Sequence, residues 1–426
     1  MMTMIAVIFV LCYAAIALEH PLRINKSAIA LIAAGLMWSL YSFASPLGVH
    51  GVSEQLSEKL AETAAIIFFL ICAMTIVEVT DSHGGFEVIT SRIKATKLTS
   101  LLWIIGFISF FLSAILDNMT TTIVMVALVK RLLKERNQRI FFAGIIVIAA
   151  NAGGAWTPIG DVTTTMLWIG GQITTGNIMK GLFIASMVNM VVPLIIASFM
   201  LKGSVVPPEK TENSRDKNTQ FEKNLMFFMG MGCLIFVPVF KAVTGLPPYL
   251  GILLSLGVLW LVGELLHRNK RVEDFEHLTL ARALKRIDMA SVVFFIGILL
   301  AVATLSANGM LPALAKWLDV KLGNQSLIVI VIGLVSAVVD NIPLVAASMG
   351  MYPLKDFPAD SFIWEFMAYC AGTGGSILII GSAAGVAAMG LEKIEFFWYA
   401  RRIGPLALIG YFSGVAAYIV QYNLFH

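Results

Sequence analysis

Charge is what this sequence has least of. Asp, Glu, Lys and Arg make up only 13% of its 426 residues, while 58% are hydrophobic. Soluble domains carry about 25% charged and roughly 45–50% apolar residues. A chain so poor in charge cannot present an ordinary water-facing surface, which excludes a soluble enzyme, a disordered protein and a nucleic-acid binder. Cysteine is scarce too: Cys12, Cys72, Cys233 and Cys370 all lie inside apolar runs, with nothing resembling a disulfide framework or a metal site. The six histidines are scattered. There is no His-Glu-x-x-His pair, no phosphate loop and no Gly-x-Ser-x-Gly elbow. ATP hydrolysis by the phosphate-loop route is therefore excluded.

What the chain does have is long apolar runs. They are continuous rather than alternating, which argues against a membrane β-barrel. A transmembrane helix needs about 20 mostly apolar residues. Such runs predict an all-α polytopic membrane protein with ten spans, near 1–18, 27–44, 61–79, 140–170, 180–201, 225–243, 250–266, 289–306, 362–390 and 403–422. The first run lacks a preceding Lys or Arg and is read as an uncleaved span, not a signal peptide. Two further apolar segments, 98–130 and 326–352, are each interrupted by Asp-Asn.

The loops 19–26, 80–97, 130–139, 202–224, 267–288 and 391–402 hold 24 of the 30 Lys and Arg residues. Cytoplasmic loops carry the excess of basic residues. For all six to be cytoplasmic, 98–130 must enter and leave on the inside and 326–352 on the outside. Both are thus expected to be re-entrant hairpins, opposed to one another, with both chain termini outside the cytoplasm.

The two halves also resemble each other. Ser113-Ala-Ile-Leu-Asp-Asn-Met119 matches Ser336-Ala-Val-Val-Asp-Asn-Ile342 at four of seven positions, an offset of 223. Gly153-Gly-Ala-Trp-Thr-Pro-Ile-Gly160 matches Gly374-Gly-Ser-Ile-Leu-Ile-Ile-Gly381 at four of eight, an offset of 221. Residues 1–201 and 225–426 are therefore read as two repeats joined by a polar cytoplasmic linker, 202–224. Five spans per half is an odd number, so the second repeat is inverted. In such folds a substrate site lies near the bilayer midplane, where helices are broken.

The breaks are Asp117-Asn118, Asp340-Asn341, and the glycine-rich stretches 151–161 and 372–382. Unwound backbone exposes carbonyl oxygens, which suit a small hard cation. A charge at the bilayer centre is expensive and usually functional, which singles out Asp117 and Asp340. Asn118, Thr120, Thr121 and Asn341 add neutral oxygens beside them. Asp161 closes the first glycine-rich break and corresponds to Ser382 in the second. Gly153 and Thr157 lie in the same break, and Thr373 and Ser376 in the second. Glu78, Asp81 and His83 end the third span as a candidate proton entry or pH sensor, because histidine titrates near neutrality. Glu62 and Glu365 are read as structural. Burial penalises the charged carboxylate, so a buried aspartate can hold either H+ or a metal cation at working pH. Competition for one carboxylate gives exchange driven by gradients alone.

At these residues the sequence resembles the NhaD-type Na+/H+ antiporters of the ion transporter superfamily. The matching stretches are Leu116–Thr122, Asn151–Thr164, Val339–Pro343, Gly372–Ser376 and Thr75–Glu78. The resemblance implies exchange of cytoplasmic Na+ or Li+ for external H+ in a bacterial inner membrane. It also implies a homodimer whose moving domain carries the hairpins past a scaffold, and no cofactor. Related dicarboxylate carriers have Ser-Asn-Thr at each hairpin tip. The acidic tips here suit a cation instead, although an arsenite or organic-anion carrier of the same superfamily is the alternative. Pro343 stands where the first half has Thr120, so the two sites are not equivalent. An intramembrane aspartyl protease would also use two aspartates, but Pro158 occupies the place of a required glycine. A channel would carry a far faster flux without counter-ion exchange.

Overall fold

The computed structural model describes every residue except 1, 18, 20–23, 91–94, 202, 206–218, 269–274, 276–277, 339 and 426. Most of the expected linker, and parts of the basic loops 19–26, 80–97 and 267–288, fall outside the described residues. The described residues are helical or loop, apart from one isolated antiparallel bridge between Lys97 and Ser204. The protein is an all-α polytopic membrane protein.

The first half contains α1 (Met2–Ala17), α2 (Lys26–Ala44), α3 (Gly48–Ser82), α4 (Glu87–Thr90), α5 (Leu98–Ser113), α6 (Asn118–Leu132), α7 (Arg136–Ala155), α8 (Val162–Ile169) and α9 (Thr175–Met200). The second contains α10 (Gln220–Thr244), α11 (Pro248–His267), α12 (Leu280–Arg286), α13 (Met289–Ala307), α14 (Met310–Leu322), α15 (Gln325–Val335), α16 (Asn341–Met351), α17 (Phe362–Gly374), α18 (Ala383–Glu392), α19 (Phe396–Arg402) and α20 (Gly404–Phe425).

Eight helices among the described residues are long and apolar enough to cross a bilayer: α2, α3, α7, α9, α10, α11, α13 and α20. Each matches an expected span. The other two expected spans differ. The first is the 16-residue α1, and 362–390 is two short helices, α17 and α18, separated by a break. The expected span 140–170 is likewise α7, a break and α8. Helix α3 has 35 residues, about 52 Å at a rise of 1.5 Å per residue, against an apolar core of about 30 Å. Its polar first turns (Glu54, Gln55, Glu58, Lys59) therefore extend beyond the 61–79 stretch. Helix α14 had no counterpart among the expected spans. It is bent by 114° from α15, buries Leu311 and Ala315, and exposes Trp317 and Val320.

Helices α1, α2, α3, α10, α11 and α13 pack on one another. The broken helices form a second neighbourhood, in which α7 meets α5, α6, α17 and α18, while α9 packs along α20. Helices α8 and α16 touch each other and link the two neighbourhoods through α3 and α13. Each half of the chain contributes to both.

Candidate functional site

All four breaks start from the same physics. Open backbone is tolerated at membrane depth only where it lines a cavity or is buried in protein. Here side chains cap each restart. Asp117 begins α6, with Oδ1 accepting from the Thr120 backbone N–H at 2.8 Å and Oδ2 from the Thr120 hydroxyl at 2.5 Å. Asp161 caps α8 through Thr163 N. Asp340 caps α16 through Ile342 N. Ser382 caps α18 through Gly385 N.

The repeat seen in the sequence recurs in the contacts. The Ser113 hydroxyl donates to the Ala150 carbonyl, and that of Ser336 to the Ala371 carbonyl. A methyl group on Gly153 would strike the Phe110 carbonyl, and one on Gly374 the Gly333 carbonyl. Thr157 adds a bond from its hydroxyl to the Ala114 carbonyl, 2.7 Å. Each glycine-rich break is thereby locked against the Asp-Asn break of its own half.

One hydrogen-bonded chain joins the halves. Asn118 Nδ2 donates to Asn151 Oδ1 at 2.8 Å, and Asn151 Nδ2 donates to the hydroxyls of Ser376 at 2.8 Å and Ser382 at 3.0 Å. All four residues are buried. Asp161 lies beside this chain, 2% exposed. Its Oδ2 has no hydrogen-bond partner among the described residues, and neither have the buried hydroxyls of Thr163 and Thr121. A methyl group on Gly372 would sit 3.2 Å from that Asp161 oxygen and 3.8 Å from the Thr163 hydroxyl. Asp161 also lies within electrostatic reach of Asp340 and Asp117.

Asp340 differs from Asp117. Its Oδ2 meets Lys26 Nζ at 3.3 Å. Both line a cavity of about 770 Å³ that reaches Ser382 and Asp288. Asn341 is buried. Thr373 bonds back to the Tyr369 carbonyl, so its hydroxyl serves its own helix.

The structure thus brings Asn118, Gly153, Asp161 and Ser376 together about Asn151 and the crossing breaks, with Thr157 beside them and Asp117, Thr120, Asp340 and Asn341 at the neighbouring helix starts. It does not bring in Glu78, Asp81 and His83. Glu78 pairs with Arg286 at 3.4 Å, and Asp81 is exposed. His83 is buried, its ring 5.2 Å from that of His267. Two residues of the site escaped sequence reasoning. Asn151 opens a recognised motif, but its repeat counterpart is a glycine, so symmetry did not mark it. Lys26 counted only as loop charge, and no local pattern ties it to a residue more than 300 positions away.

Helices broken in pairs around one buried and two half-buried aspartates, in a bundle of membrane spans, define a membrane transporter. The citrate transporter family model matches residues 13–372, and the chain belongs to that family. It is 49% identical to "Sodium/proton antiporter 1" of Arabidopsis thaliana, over 98% of this chain and 72% of the relative. It is 46% identical to "Sodium/proton antiporter 2" of the same plant, over 98% and 99%. It is 30% identical to the "Na(+)/H(+) antiporter NhaD" of Alkalimonas amylolytica, over 98% and 90%. The resemblance read from the motifs therefore extends over nearly the whole chain.

Proposed function

We propose that this protein is a secondary antiporter that exchanges cytoplasmic Na+ or Li+ for external H+, with Asp161, Asp117 and Asp340 binding cation and proton in competition. The observation that carries the proposal is Asp161: a buried carboxylate with one oxygen unsatisfied, beside two more aspartates and neutral oxygens. Among the described residues, one lysine stands against three carboxylates. That excess attracts a monovalent cation and repels a multiply charged anion. The plant and bacterial relatives are named as sodium/proton antiporters.

The two Asp-Asn segments act as opposed re-entrant hairpins of an inverted repeat. The broken-helix neighbourhood moves past the unbroken one, in an elevator-type motion within a homodimer. With the basic loops cytoplasmic, both termini face outside, in a bacterial plasma membrane. The cavity at Asp340 is lined by Asn25, Asp288, Leu391 and Phe396, which lie in or beside those loops, so this conformation opens to the cytoplasm.

The family's description favours a second reading, citrate transport. Proteoliposomes with an acid interior separate the two. Accumulation of radioactive sodium without radioactive citrate supports antiport. Citrate accumulation without sodium replaces it with anion carriage.

A further inference from the structure

The ion pair between Lys26 and Asp340 has no role in the exchange described so far. The other described ion pairs involve none of the three aspartates: Lys59–Glu62, Arg131–Glu87, Lys223–Glu87, Arg139–Glu392 and Arg286–Glu78. Among the described residues, only Lys26 pairs with a carboxylate of the candidate site. Its position is electrostatically adverse for its own helix. Lys26 is the first residue of α2, behind the Asn25 cap, and a helix N-terminus disfavours a cation. Local helix stability therefore gives no reason for a lysine there.

The second half of the repeat supplies one. Asp117 takes its second oxygen's hydrogen bond from the Thr120 hydroxyl. Pro343 occupies the matching place beside Asp340 and has no donor to give. Lys26 provides the donor from a different helix, and with it a fixed positive charge. Its ammonium sits 3.3 Å from Asp340 Oδ2 and 4.5 Å over the Phe294 ring. Asp117 has no such partner among the described residues. Lys26 and Asp340 face the same large cavity, so a cation arriving there meets a carboxylate already occupied.

We infer that Lys26 is a tethered counter-cation that competes with the transported monovalent cation for Asp340, and so sets the apparent cation affinity of the second site. The inference rests on the proposed exchange. An arriving Na+ displaces the ammonium into the cavity, and on departure of Na+ the ammonium returns. The unloaded site then never holds a bare carboxylate at membrane depth, which would be costly. No proton transfer from Lys26 is involved. Lys26 acts on the ion through Asp340, and is a positioning residue in that sense.

The test measures Na+-driven proton movement in proteoliposomes and Na+-dependent thermal stabilisation of the purified full chain. The proteins are the native chain, Lys26→Met, Lys26→Gln and Lys26→Arg. Removal of the competitor lowers the apparent KM for Na+ by about tenfold in the Met and Gln variants and shifts stabilisation to lower Na+. The turnover falls as release slows. Gln keeps a donor for Asp340 without the charge and decides the matter if Met fails to fold. Arg keeps the charge and retains the native KM. An unchanged or raised KM in Lys26→Gln, or a lowered KM in Lys26→Arg, overturns the competition while exchange stands. A native chain that neither moves protons with Na+ nor is stabilised by it overturns the exchange itself, and this inference with it.

Discussion

At the scale of the residue, Asp161 and Asn151 do different work. Asp161 offers an unpartnered carboxylate oxygen, whereas Asn151 spends its amide joining the two halves. Charge-assisted contacts contribute about 1.5–3 kcal/mol, and about 1.4 kcal/mol is a factor of ten. Asp161→Asn should therefore lower Na+-driven proton movement in proteoliposomes by at least about tenfold. Unchanged rates would remove Asp161 from the site. Asn151→Ala orphans the Asn118 amide and the Ser376 hydroxyl and leaves Ser382 with its cap bond alone, at about 1–3 kcal/mol for a buried polar group left unmade. Its thermal midpoint in detergent should fall, and an unaltered midpoint would mean that the chain of amides and hydroxyls holds nothing together. The aspartates were legible in the sequence because a charge within an apolar run is costly and therefore conspicuous. Lys26 was not, because its meaning comes from a contact across the fold. Thr373 drew attention as a polar group in a break, yet in the structure it only bonds back to its own helix.

At the scale of the element, helix breaks were legible and their edges were not. Glycine marks where backbone can open, but residues 151–155 and 372–374 remain helical. There the glycines serve close approach rather than unwinding. The unwound backbone begins after Ala155 and Gly374 and ends at Asp161 and Ser382. A methyl group at Gly153 or Gly374 meets a carbonyl of the neighbouring broken helix. Gly153→Ala and Gly374→Ala should each destabilise the fold by about 1–3 kcal/mol, as overpacking does. Thermal unfolding in detergent checks this. A variant as stable as the native chain would show that the crossing has slack. Helix α14 escaped the reading because a run containing Lys316, Asp319 and Lys321 looks like an outer loop on hydropathy alone.

At the scale of the whole molecule, the two halves share paired contacts. Offsets of 223 and 221 residues, read from two short motifs, reappear as paired hydroxyl–carbonyl bonds and paired glycine contacts. The grouping of unbroken helices against broken ones was not legible, since it depends on which faces meet. The proposed competition between cation and proton implies a definite response to pH. A falling pH fills the carboxylates with protons, so the apparent KM for Na+ should rise, by up to about tenfold per pH unit for one competing proton. At high pH the proton leg fails instead, and exchange has its maximum between the two limits. A KM independent of pH would separate cation from proton binding. The most direct measurement uses purified protein in proteoliposomes with an internal pH dye, exposed in turn to Na+, Li+ and K+. Beside it run Asp117→Asn and Asp340→Asn. Proton movement driven by Na+ and Li+, and lost in at least one variant, is the predicted result. Proton movement driven by none of these cations from neutral to alkaline pH, or undiminished in both variants, contradicts exchange at these aspartates.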